Sequence, residues 1–538
     1  MNLRIVLSQL KFSVGNIQNN LIQIIDAANL SRDSFLADII VFPELTLTGY
    51  PPEDLLFRND FLKESDDALN KIRETVKDIY CVVGHPHKTN EGLYNACSVI
   101  YNNKILGTYF KQHLPNYSVF DENRYFISGN KTCIVNIKNI PVGITICEDI
   151  WFDEPIKNAA NGGAKIILSP NASPFEIEKH EKRQSILAER ALKANLPIIY
   201  VNNVGGQDDL IFDGGSMIIN NEGSICQHAG FFEEVLLPCD IEFNSTETKV
   251  RQQPIEIPDK IERIYKALTL SVRDYVNNNN FNGALIGVSG GIDSALSLSI
   301  AVDALGKKNV KAIFMPSRYT SKESEEDALE LINNLNIQYE IISIETVFEA
   351  FLQTLQPIFS GTKKDTTEEN LQARCRGMIL MAISNKTGRI VLTTSNRSEF
   401  AVGYSTLYGD MAGGFCILKD VPKQLVYKLS EYKNEFKEVI PKRILEKPPT
   451  AELAPNQKDE DSLPPYHILD EIIRLYLNQE LSIDEIAAHN FDKEIVEKIV
   501  NLIHKSEYKR GQAPLGPRID NKSFGRDHRY PITSGFKK

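Results

Sequence analysis

Residues 284–294 read Ala-Leu-Ile-Gly-Val-Ser-Gly-Gly-Ile-Asp-Ser, an apolar strand followed by a glycine turn and the start of a helix. Two consecutive glycines let the backbone approach an anion closely, and the N–H groups at a helix start supply donors and a favourable dipole. Ser289 and Ser294 add hydroxyl donors, whereas Asp293 is suited to hold Mg²⁺. The segment therefore predicts an anion-binding loop between a strand and a helix of an α/β domain.

This loop is not of the Walker type, because no Gly-Lys-Ser or Gly-Lys-Thr ending follows its glycines. A glycine turn between a strand and a helix can also be purely structural. The Ser-Gly-Gly-x-Asp-Ser form resembles the ATP-pyrophosphatase group, whose members adenylate a substrate oxygen and expel pyrophosphate. The resemblance assigns to ATP the residues Gly287, Val288, Ser289, Gly290, Gly291, Ile292, Asp293 and Ser294.

Short apolar segments alternate with helical patterns around the loop, which is typical of a parallel, doubly wound sheet. The predicted strands are Ala284–Val288, Lys311–Met315, Tyr339–Ile344 and Ile390–Thr394, and a helix over Ile261–Val276 precedes them. The proline-rich run 441–465 predicts an ordered or gating loop rather than a core element. A helical tail is expected over Tyr466–Leu477, Ile483–His489 and Lys493–His504.

The first half of the chain repeats strand, turn and helix, and several strands are apolar throughout, so the sheet is covered on at least one face. The predicted strands are Arg4–Gln9, Ile39–Phe42, Cys81–Gly84, Ala96–Tyr101, Pro141–Ile146, Lys165–Ser169, Ile198–Val201 and Gly215–Ile219. The stretch 247–258 carries two prolines and mixed charge, which indicates a linker. We therefore expect domains over residues 1–246 and 259–538.

Composition narrows the class of protein. The chain has 538 residues, which is too long for one core of ordinary size, and its formal charge of −11 offers no general basic face for a polynucleotide or an anionic membrane. The N-terminus lacks the pattern of a secretory signal, and no apolar run approaches membrane-spanning length. Eight cysteines are scattered without a close pair, which argues against a disulfide framework or a zinc ribbon and favours the cytoplasm.

Three reactive residue types stand at predicted strand ends in the first half. Glu44 ends Asp-Ile-Ile-Val-Phe-Pro-Glu, Lys111 closes Ile-Leu-Gly-Thr-Tyr-Phe-Lys, and Cys147 follows the strand Pro141–Ile146 at a sharp turn that is expected to expose the thiol. Cleavage of a carboxamide needs an activated thiolate, a proton carrier and a positive group at the oxyanion. Cys147, Glu44 and Lys111 suit these roles, and the backbone N–H of Glu148 can complete the oxyanion hole.

The alternative is that Cys147 is one more buried, inert cysteine. Against it stand the segments Phe-Pro-Glu-Leu-Thr-Leu-Thr-Gly-Tyr (42–50), Lys-Gln-His-Leu-Pro (111–115) and Cys-Glu-Asp-Ile-Trp (147–151), which together resemble the nitrilase superfamily and its glutamine-hydrolysing branch. That resemblance implies an αββα sandwich with a Glu-Lys-Cys triad. It also implies a supporting carboxylate at Glu122 and glutamine contacts at Tyr117, Glu148, Ser173 and Lys179, each of which could otherwise be a surface polar residue.

Segments after the glycine loop indicate which substrate is adenylated by ATP. Glu399, in Thr-Thr-Ser-Asn-Arg-Ser-Glu (393–399), follows a strand and brings a second carboxylate to the sheet edge where ligands are expected. Asn370 and Arg374 lie one helical turn apart, so both can face one anionic ligand. Taken singly, Arg374 and Lys509 are more often solvated than ligand-binding.

In order, these segments resemble the NAD⁺ synthetase family, and with the amidase in front the chain resembles glutamine-dependent NAD⁺ synthetases nearly end to end. The resemblance implies contacts to deamido-NAD⁺ from Asn370, Arg374, Glu399 and Lys509. It implies contacts to ATP from Thr394, Lys419 and Thr450, with Mg²⁺ held by Asp293 and Glu399. Leu407 and Gly414 depart from the ammonia-only relatives, which carry Lys and Asp there, so not every dinucleotide contact transfers.

The expected reaction adenylates the nicotinate carboxylate of deamido-NAD⁺ with ATP and amidates it with ammonia released from L-glutamine. The family also implies a homo-oligomer, and the fusion suggests a sheltered passage for ammonia. One alternative is another amidotransferase with the same loop, such as those that make GMP or asparagine, but those relying on an N-terminal cysteine need it after Met1, where Asn2 stands. A second is an ammonia-driven synthetase with an inactive nitrilase-like module.

Overall fold

A computed structural model describes residues 1–244, 248–435, 437–454, 457, 459–461 and 463–536. The chain divides into two compact units, Met1–Pro258 and Asp259–Lys538. The predicted domain boundary at residues 246 and 247 lies outside the described residues. Part of the predicted linker is not a linker: Thr248–Val250 is a strand that pairs antiparallel with Ile241–Phe243, because its backbone finds an unfilled sheet edge there.

The first unit contains three sheets and four α-helices among its described residues. The helices are α1 (Ile17–Asp33), α2 (Asn59–Thr75), α3 (Asp153–Asn161) and α4 (Lys179–Ala194). The strands are β1 (Asn2–Gln9), β2 (Ile39–Val41), β3 (Tyr80–Lys88), β4 (Leu93–Tyr101), β5 (Lys104–Phe110), β6 (Cys133–Ile137), β7 (Ile140–Ile144), β8 (Ile166–Asn171), β9 (Ile198–Asn202), β10 (Val204–Gln207), β11 (Leu210–Asp213), β12 (Met217–Ile219), β13 (Ile225–His228), β14 (Val235–Phe243) and β15 (Thr248–Val250).

These strands form a seven-stranded sheet in the order β15-β14-β1-β2-β3-β4-β5 and a six-stranded sheet in the order β13-β12-β9-β8-β7-β6, while β10 and β11 pair as a two-stranded antiparallel sheet. One core cluster joins the facing sides of both sheets, for example Leu7 and Val41 with Ile144 and Leu168. A second cluster packs α1 and α2 on the outer face of the first sheet, and a third packs α3 and α4 on the outer face of the second. The predicted αββα sandwich is confirmed.

The second unit is built on a parallel sheet in the order β18-β17-β16-β19-β20. Its strands are β16 (Ala284–Val288), β17 (Val310–Phe314), β18 (Gln338–Ile341), β19 (Ile390–Thr393) and β20 (Phe415–Cys416). Its helices are α5 (Lys260–Asn278), α6 (Ile292–Leu305), α7 (Lys322–Leu335), α8 (Glu345–Phe359), α9 (Thr366–Thr387), α10 (Arg397–Val402), α11 (Lys423–Glu435), α12 (Lys442–Glu446), α13 (Tyr466–Ile473), α14 (Ile483–Ala487), α15 (Lys493–Lys505) and α16 (Glu507–Arg510).

The strand order steps outward from β16 in both directions, so the predicted doubly wound sheet is confirmed. Helix α6 follows β16 directly and is buried along most of its length, because its side chains from Ala295 to Ala301 are small or apolar. The tail differs from its prediction in two places: α13 ends at Ile473 and one turn of π-helix, Arg474–Asn478, completes that segment, and α14 ends at Ala487 rather than at His489. No helix among the described residues combines the length and apolarity that crossing a membrane requires.

Candidate functional site

Glu44 lies in the turn after β2 and is almost completely buried. Its Oε1 accepts hydrogen bonds from Lys111 Nζ at 2.7 Å and from Asn95 Nδ2 at 2.7 Å, and its Oε2 accepts one from the backbone N–H of Ala172 at 3.1 Å. These donors come from three different strands or strand ends. The carboxylate is therefore fixed in position by the fold itself.

Lys111 follows β5 and its side chain is fully buried between two carboxylates, at 2.7 Å from Glu44 and 2.8 Å from Glu122. Burial alone would favour a neutral amine, but the charges of Glu122 and Glu44 outweigh it and raise the pKa of Lys111. Burial, opposed by Lys111, raises the pKa of Glu122 to about 7, and Tyr50 donates its hydroxyl to that carboxyl at 2.9 Å. The cluster thus contains one ammonium shared by two buried carboxyl groups.

Cys147 begins a turn of 3₁₀-helix directly after the second sheet's strand β7, with φ of +42°. Left-handed backbone at a non-glycine residue is strained, and such strain concentrates at functional sites. The prediction that the thiol is exposed is wrong: Cys147 is 7% exposed, because the two sheets close around it. Burial, together with the Glu44 charge, raises the pKa of the thiol, so its resting form is neutral. The Ala172 N–H that binds Glu44 also lies against this sulfur.

The residues expected to contact glutamine form two groups beside this cluster. Tyr117 donates its hydroxyl to Glu148 at 3.0 Å, and the Lys179 ammonium lies 4.9 Å from the centre of the Trp151 ring. Ser173 is buried, and its hydroxyl accepts a hydrogen bond from Arg183 Nε at 3.1 Å. Because Glu148 directly follows Cys147, the first group borders the nucleophile.

In the second unit, the loop after β16 holds its serines together. Ser294 donates its hydroxyl to the Gly291 carbonyl at 2.9 Å, and its oxygen accepts the Ser289 N–H at 3.3 Å. Gly290 has a φ of +79°, and a Cβ there would stand 2.4 Å from the Ser324 carbonyl. Glycine is therefore required at this point. The loop keeps its backbone N–H groups at the N-terminal end of α6.

Asp293 and Glu399 come together as the predicted pair of acidic residues. Asn396 Nδ2 donates to Asp293 Oδ1 at 3.0 Å and to Glu399 Oε1 at 2.8 Å. Lys423 Nζ donates to Asp293 Oδ2 and lies 3.7 Å from Glu399 Oε1. Burial and the adjacent Asp293 charge raise the pKa of Glu399, and a cation at this point relieves that repulsion.

These two carboxylates fit Mg²⁺, which is commonly bound through one or two carboxylates with waters and substrate phosphates completing its shell. Among the described residues, no group of three or more His, Cys, Asp and Glu side chains is arranged as a site made by protein ligands alone. The pair Asp293 and Glu399 therefore suits a metal that arrives with a phosphate-bearing ligand.

Three of the residues expected to contact the dinucleotide converge on one loop, residues 403–408. Asn370 Oδ1 accepts the Thr406 hydroxyl at 2.7 Å, and Arg374 Nε donates to the Leu407 carbonyl at 3.2 Å. Lys509 Nζ donates to the carbonyls of Gly403 and Ser405 at 2.8 and 2.7 Å, and burial lowers the pKa of Lys509. The Glu399 carboxylate belongs to the acidic pair, and its backbone carbonyl accepts the N–H of Tyr404 in this loop at 2.9 Å.

Two residues expected at ATP, Lys419 and Thr450, make hydrogen bonds within the protein. Lys419 Nζ donates to the Pro514 carbonyl at 2.7 Å, because its side chain packs under the C-terminal segment around Gly516. Thr450 donates its hydroxyl to the Gln457 carbonyl and so closes the loop that it belongs to. Thr394, by contrast, follows β19 at the carboxyl edge of the sheet, as expected.

Sequence reasoning missed Lys423, Asn396, Asn95 and Tyr50, all of which touch a predicted site residue. Tyr50 and Asn396 lie inside segments that were already singled out, so their side chains could have been considered. Lys423 begins α11 after Pro422 and stands 130 residues from Asp293, and no local pattern connects the two.

Comparisons with known proteins agree with this geometry. The carbon-nitrogen hydrolase family model matches residues 4–249, and the NAD synthase family model matches residues 264–513. The chain is 45% identical over 537 residues to glutamine-dependent NAD(+) synthetase of Acinetobacter baylyi, with 99% of each chain covered. It is 44% identical over 572 residues to that of Thermotoga maritima, covering 100% of this chain and 99% of the relative. The structure of glutamine-dependent NAD+ synthetase from Acinetobacter baumannii in complex with ADP matches with a TM-score of 0.81 and 42% identity over 99% of both chains.

Proposed function

The chain belongs to the family of glutamine-dependent NAD(+) synthetases, and from this membership we propose which of its side chains carry each step. It is a carbon–nitrogen ligase that takes its amide nitrogen from glutamine. The observation that carries the assignment of its amidase site is the buried Lys111 ammonium held between Glu44 and Glu122 near the strained Cys147. An inactive module would have no reason to keep this costly arrangement of buried charges.

In the amidase reaction, the Cys147 sulfur attacks the side-chain carbonyl carbon of glutamine while its proton passes to Glu44. The developing oxyanion is stabilised by the Lys111 ammonium and the Glu148 N–H. Glu44 then protonates the departing ammonia, the C–N bond breaks, and a thioester remains on the sulfur. Water, deprotonated by Glu44, releases glutamate and restores the thiol. The neutral resting thiol suits this order, because the base acts only when substrate is present.

Glutamine recognition follows from charge and shape beside Cys147. The α-carboxylate of glutamine would pair with the Lys179 ammonium, whose position is supported by Trp151. Tyr117 and Glu148 would contact the amino end of the substrate, since Glu148 is a carboxylate next to the nucleophile. Ser173, held by Arg183, would line the same region.

In the synthetase reaction, an oxygen of the nicotinate carboxylate of deamido-NAD⁺ attacks the α-phosphorus of ATP and pyrophosphate leaves. The N–H groups of residues 287–294 would hold the phosphates, with Thr394 at the nucleoside. Asp293 and Glu399 would hold Mg²⁺, which when bound neutralises phosphate charge. Lys419 and Thr450 remain proposed contacts to ATP, and we add Lys423 as a cation at this site, since its ammonium reaches Asp293. Ammonia then displaces AMP and forms the amide of NAD⁺.

The deamidated dinucleotide would lie against the loop 403–408. Asn370, Arg374 and Lys509 all bond to that loop and present donors to an anionic ligand. Glu399 would stand where this ligand meets the metal and the phosphates.

The reaction couples cleavage of one glutamine to one NAD⁺, and product analysis tests it: deamido-NAD⁺, ATP, Mg²⁺ and glutamine should yield equal amounts of NAD⁺, AMP, pyrophosphate and glutamate. Formation of ADP and phosphate instead would refute the adenylation step.

Glutamine hydrolysis is expected to decline as the pH falls through about 7, because Glu122 then takes up a proton. Protonation removes the charge of one of the two carboxylates that hold Lys111. Glu44 and Cys147 also face the Lys111 ammonium, and Tyr50 faces the Glu122 carboxyl. Initial rates of glutamate release at saturating glutamine measure this acid limb. Glu122→Gln carries no charge at any pH, so it should show the low rate of the protonated enzyme throughout and lose the limb near pH 7, and an unchanged limb would contradict the assignment.

We also propose that the chain forms a homo-oligomer through the surface of α8 and α9. Large apolar side chains on this surface are 36–74% exposed, and contiguous exposed apolar patches mark interaction sites. They are Val347, Phe351, Ile358, Met378 and Met381. Sedimentation velocity should give a mass above the 60.6 kDa of one chain, and Phe351→Glu with Ile358→Glu should reduce it to one chain. Ile22→Glu, at an isoleucine on α1 whose exposure of 58% lies between those of Phe351 and Ile358, is the matched control, and a mass of one chain for the wild type would refute the proposal.

We also propose a cytoplasmic location, because the cysteines of the chain form no disulfide bonds. All eight are unpaired, and seven of them are buried, so the fold makes no use of disulfide bonds. A reducing compartment suits that state.

A further inference from the structure

A carboxylate outside the catalytic cluster connects two of its members. Asp149 is fully buried, two residues after Cys147. Its Oδ1 accepts the backbone N–H groups of Gln112 at 3.0 Å and His113 at 2.8 Å. Its Oδ2 accepts the backbone N–H of Ile146 at 3.1 Å and the Tyr109 hydroxyl at 2.9 Å. Each oxygen therefore has two donors.

The positions of these donors give the carboxylate its significance. Gln112 and His113 directly follow Lys111, and Tyr109 precedes it by two residues on β5. Ile146 directly precedes Cys147, and its carbonyl in turn accepts the Asp149 N–H at 3.0 Å. β5 belongs to the first sheet, whereas β7 and the turn that follows it belong to the second. Through Asp149, the backbone on both sides of the sandwich is tied at the two points where the reactive side chains leave it.

We propose that Asp149 is a positioning residue that sets the Cys147 thiol at its working distance from Lys111. The proposal rests on the amidase function given above. It also explains how Cys147 is held in its left-handed conformation at φ +42°, because Asp149 binds Ile146, the residue before the cysteine, with both its side chain and its backbone. A reacting atom that is misplaced by about 1 Å can cost about 100-fold in rate.

The ionised carboxylate is needed for this connection, because four donors require acceptors on both oxygens. Burial raises the pKa of Asp149 to about 6, so the group is charged at neutral pH. The amide of asparagine offers one acceptor oxygen, and its NH₂ group would face two donors on the other side. Asp149→Asn would therefore release one of the two segments without changing the size of the side chain.

The test compares glutamate release by Asp149→Asn and by wild type in the full-length protein. We expect kcat to fall about 100-fold with little change in KM for glutamine, since the groups assigned to substrate binding stay in place. Alkylation of Cys147 by iodoacetamide, followed by peptide mass spectrometry, should slow in parallel. NAD⁺ formation from ammonia should continue at the wild-type rate.

Asp240→Asn is the matched control, because Asp240 pairs with Arg4 at 2.6 Å on β14 and β1 of the same unit. It should change the thermal unfolding midpoint without changing kcat or alkylation. If Asp149→Asn behaves in the same way, Asp149 is merely structural and the inference is wrong. If this variant does not fold, Tyr109→Phe decides: loss of one donor should lower kcat and alkylation by about 10-fold, and unchanged values would overturn the proposal. Failure of wild type to release glutamate would instead refute the amidase function.

Discussion

Replacing Cys147 by alanine is expected to abolish NAD⁺ formation from glutamine and to leave NAD⁺ formation from ammonia at the wild-type rate. The sulfur is the only atom in the proposed cycle that bonds covalently to glutamine, and loss of such a nucleophile costs on the order of 10⁴-fold or more. The synthetase residues belong to the other compact unit, and ammonia in the solvent bypasses the amidase step. Separate assays with glutamine and with ammonium salt, each following NAD⁺, measure the two activities.

Cys239→Ala provides the control for this experiment. Cys239 is a buried cysteine on β14, with its pKa raised by burial like that of Cys147, but it has no place in the proposed chemistry. It should retain both activities. Glutamine-driven NAD⁺ formation that survived in Cys147→Ala would mean that another residue is the nucleophile, and glutamate release would then locate the error in the amidase step rather than in ammonia delivery.

The second large effect is expected for Asp293→Asn, which should remove NAD⁺ formation from both nitrogen sources. Asp293 is the carboxylate that Lys423 and Asn396 both contact, and it faces Glu399. An amide there would neither balance Lys423 nor serve Mg²⁺, and loss of one electrostatic contact in a preorganised site costs about 100- to 1000-fold. Pyrophosphate release from ATP and deamido-NAD⁺, without any nitrogen source, isolates this step.

Asp303→Asn is a suitable companion variant. Asp303 also lies in the second unit on α6, where it accepts the Tyr265 hydroxyl and pairs with Lys433 at 2.6 Å. It has no part in the proposed phosphate or metal binding. It should keep pyrophosphate release. Intact pyrophosphate release in Asp293→Asn would show that the phosphates are held elsewhere, whereas normal glutamate release in the same variant would show that the first unit remains folded.

The parts of the site that sequence reasoning predicted are those carried by continuous segments. Glu44, Lys111 and Cys147 each close a strand, so their chemistry and their place at a sheet edge follow from local pattern. The loop at 287–294 is predicted for the same reason. Burial of the thiol was not predictable, because it depends on how two sheets close over one strand end.

Lys419 and Lys423 show where local pattern is insufficient. They stand four residues apart on either side of a proline, and both are buried. Only packing separates them: Lys419 turns to the C-terminal segment, and Lys423 turns to Asp293. The hydrogen bonds therefore bring Lys423 to the acidic pair, a contact that no local pattern predicts.

The fold was predicted more completely in kind than in detail. The alternation of apolar strands and helices indicated both layered units, but the prediction lacked the strands β6, β10, β11, β13, β14, β15 and β20. β14 pairs with β1 along its whole length, from Asn2 with Glu242 to Gln9 with Val235. The sequence of β14, Val235–Phe243, alternates only weakly between apolar and polar residues, and its partner strand β1 lies at the other end of the unit. Such pairing depends on tertiary structure rather than on propensity.

That pairing has a consequence for protein synthesis. β1 leaves the ribosome long before its neighbour β14, which is among the last strands of the unit to be translated. Until then β1 presents an open edge to other nascent or misfolded chains, and such edges promote aggregation. Folding that waits for contacts so distant along the chain is slow. Expression at lower temperature, or with chaperones that shield exposed strands, should therefore raise the yield of native enzyme.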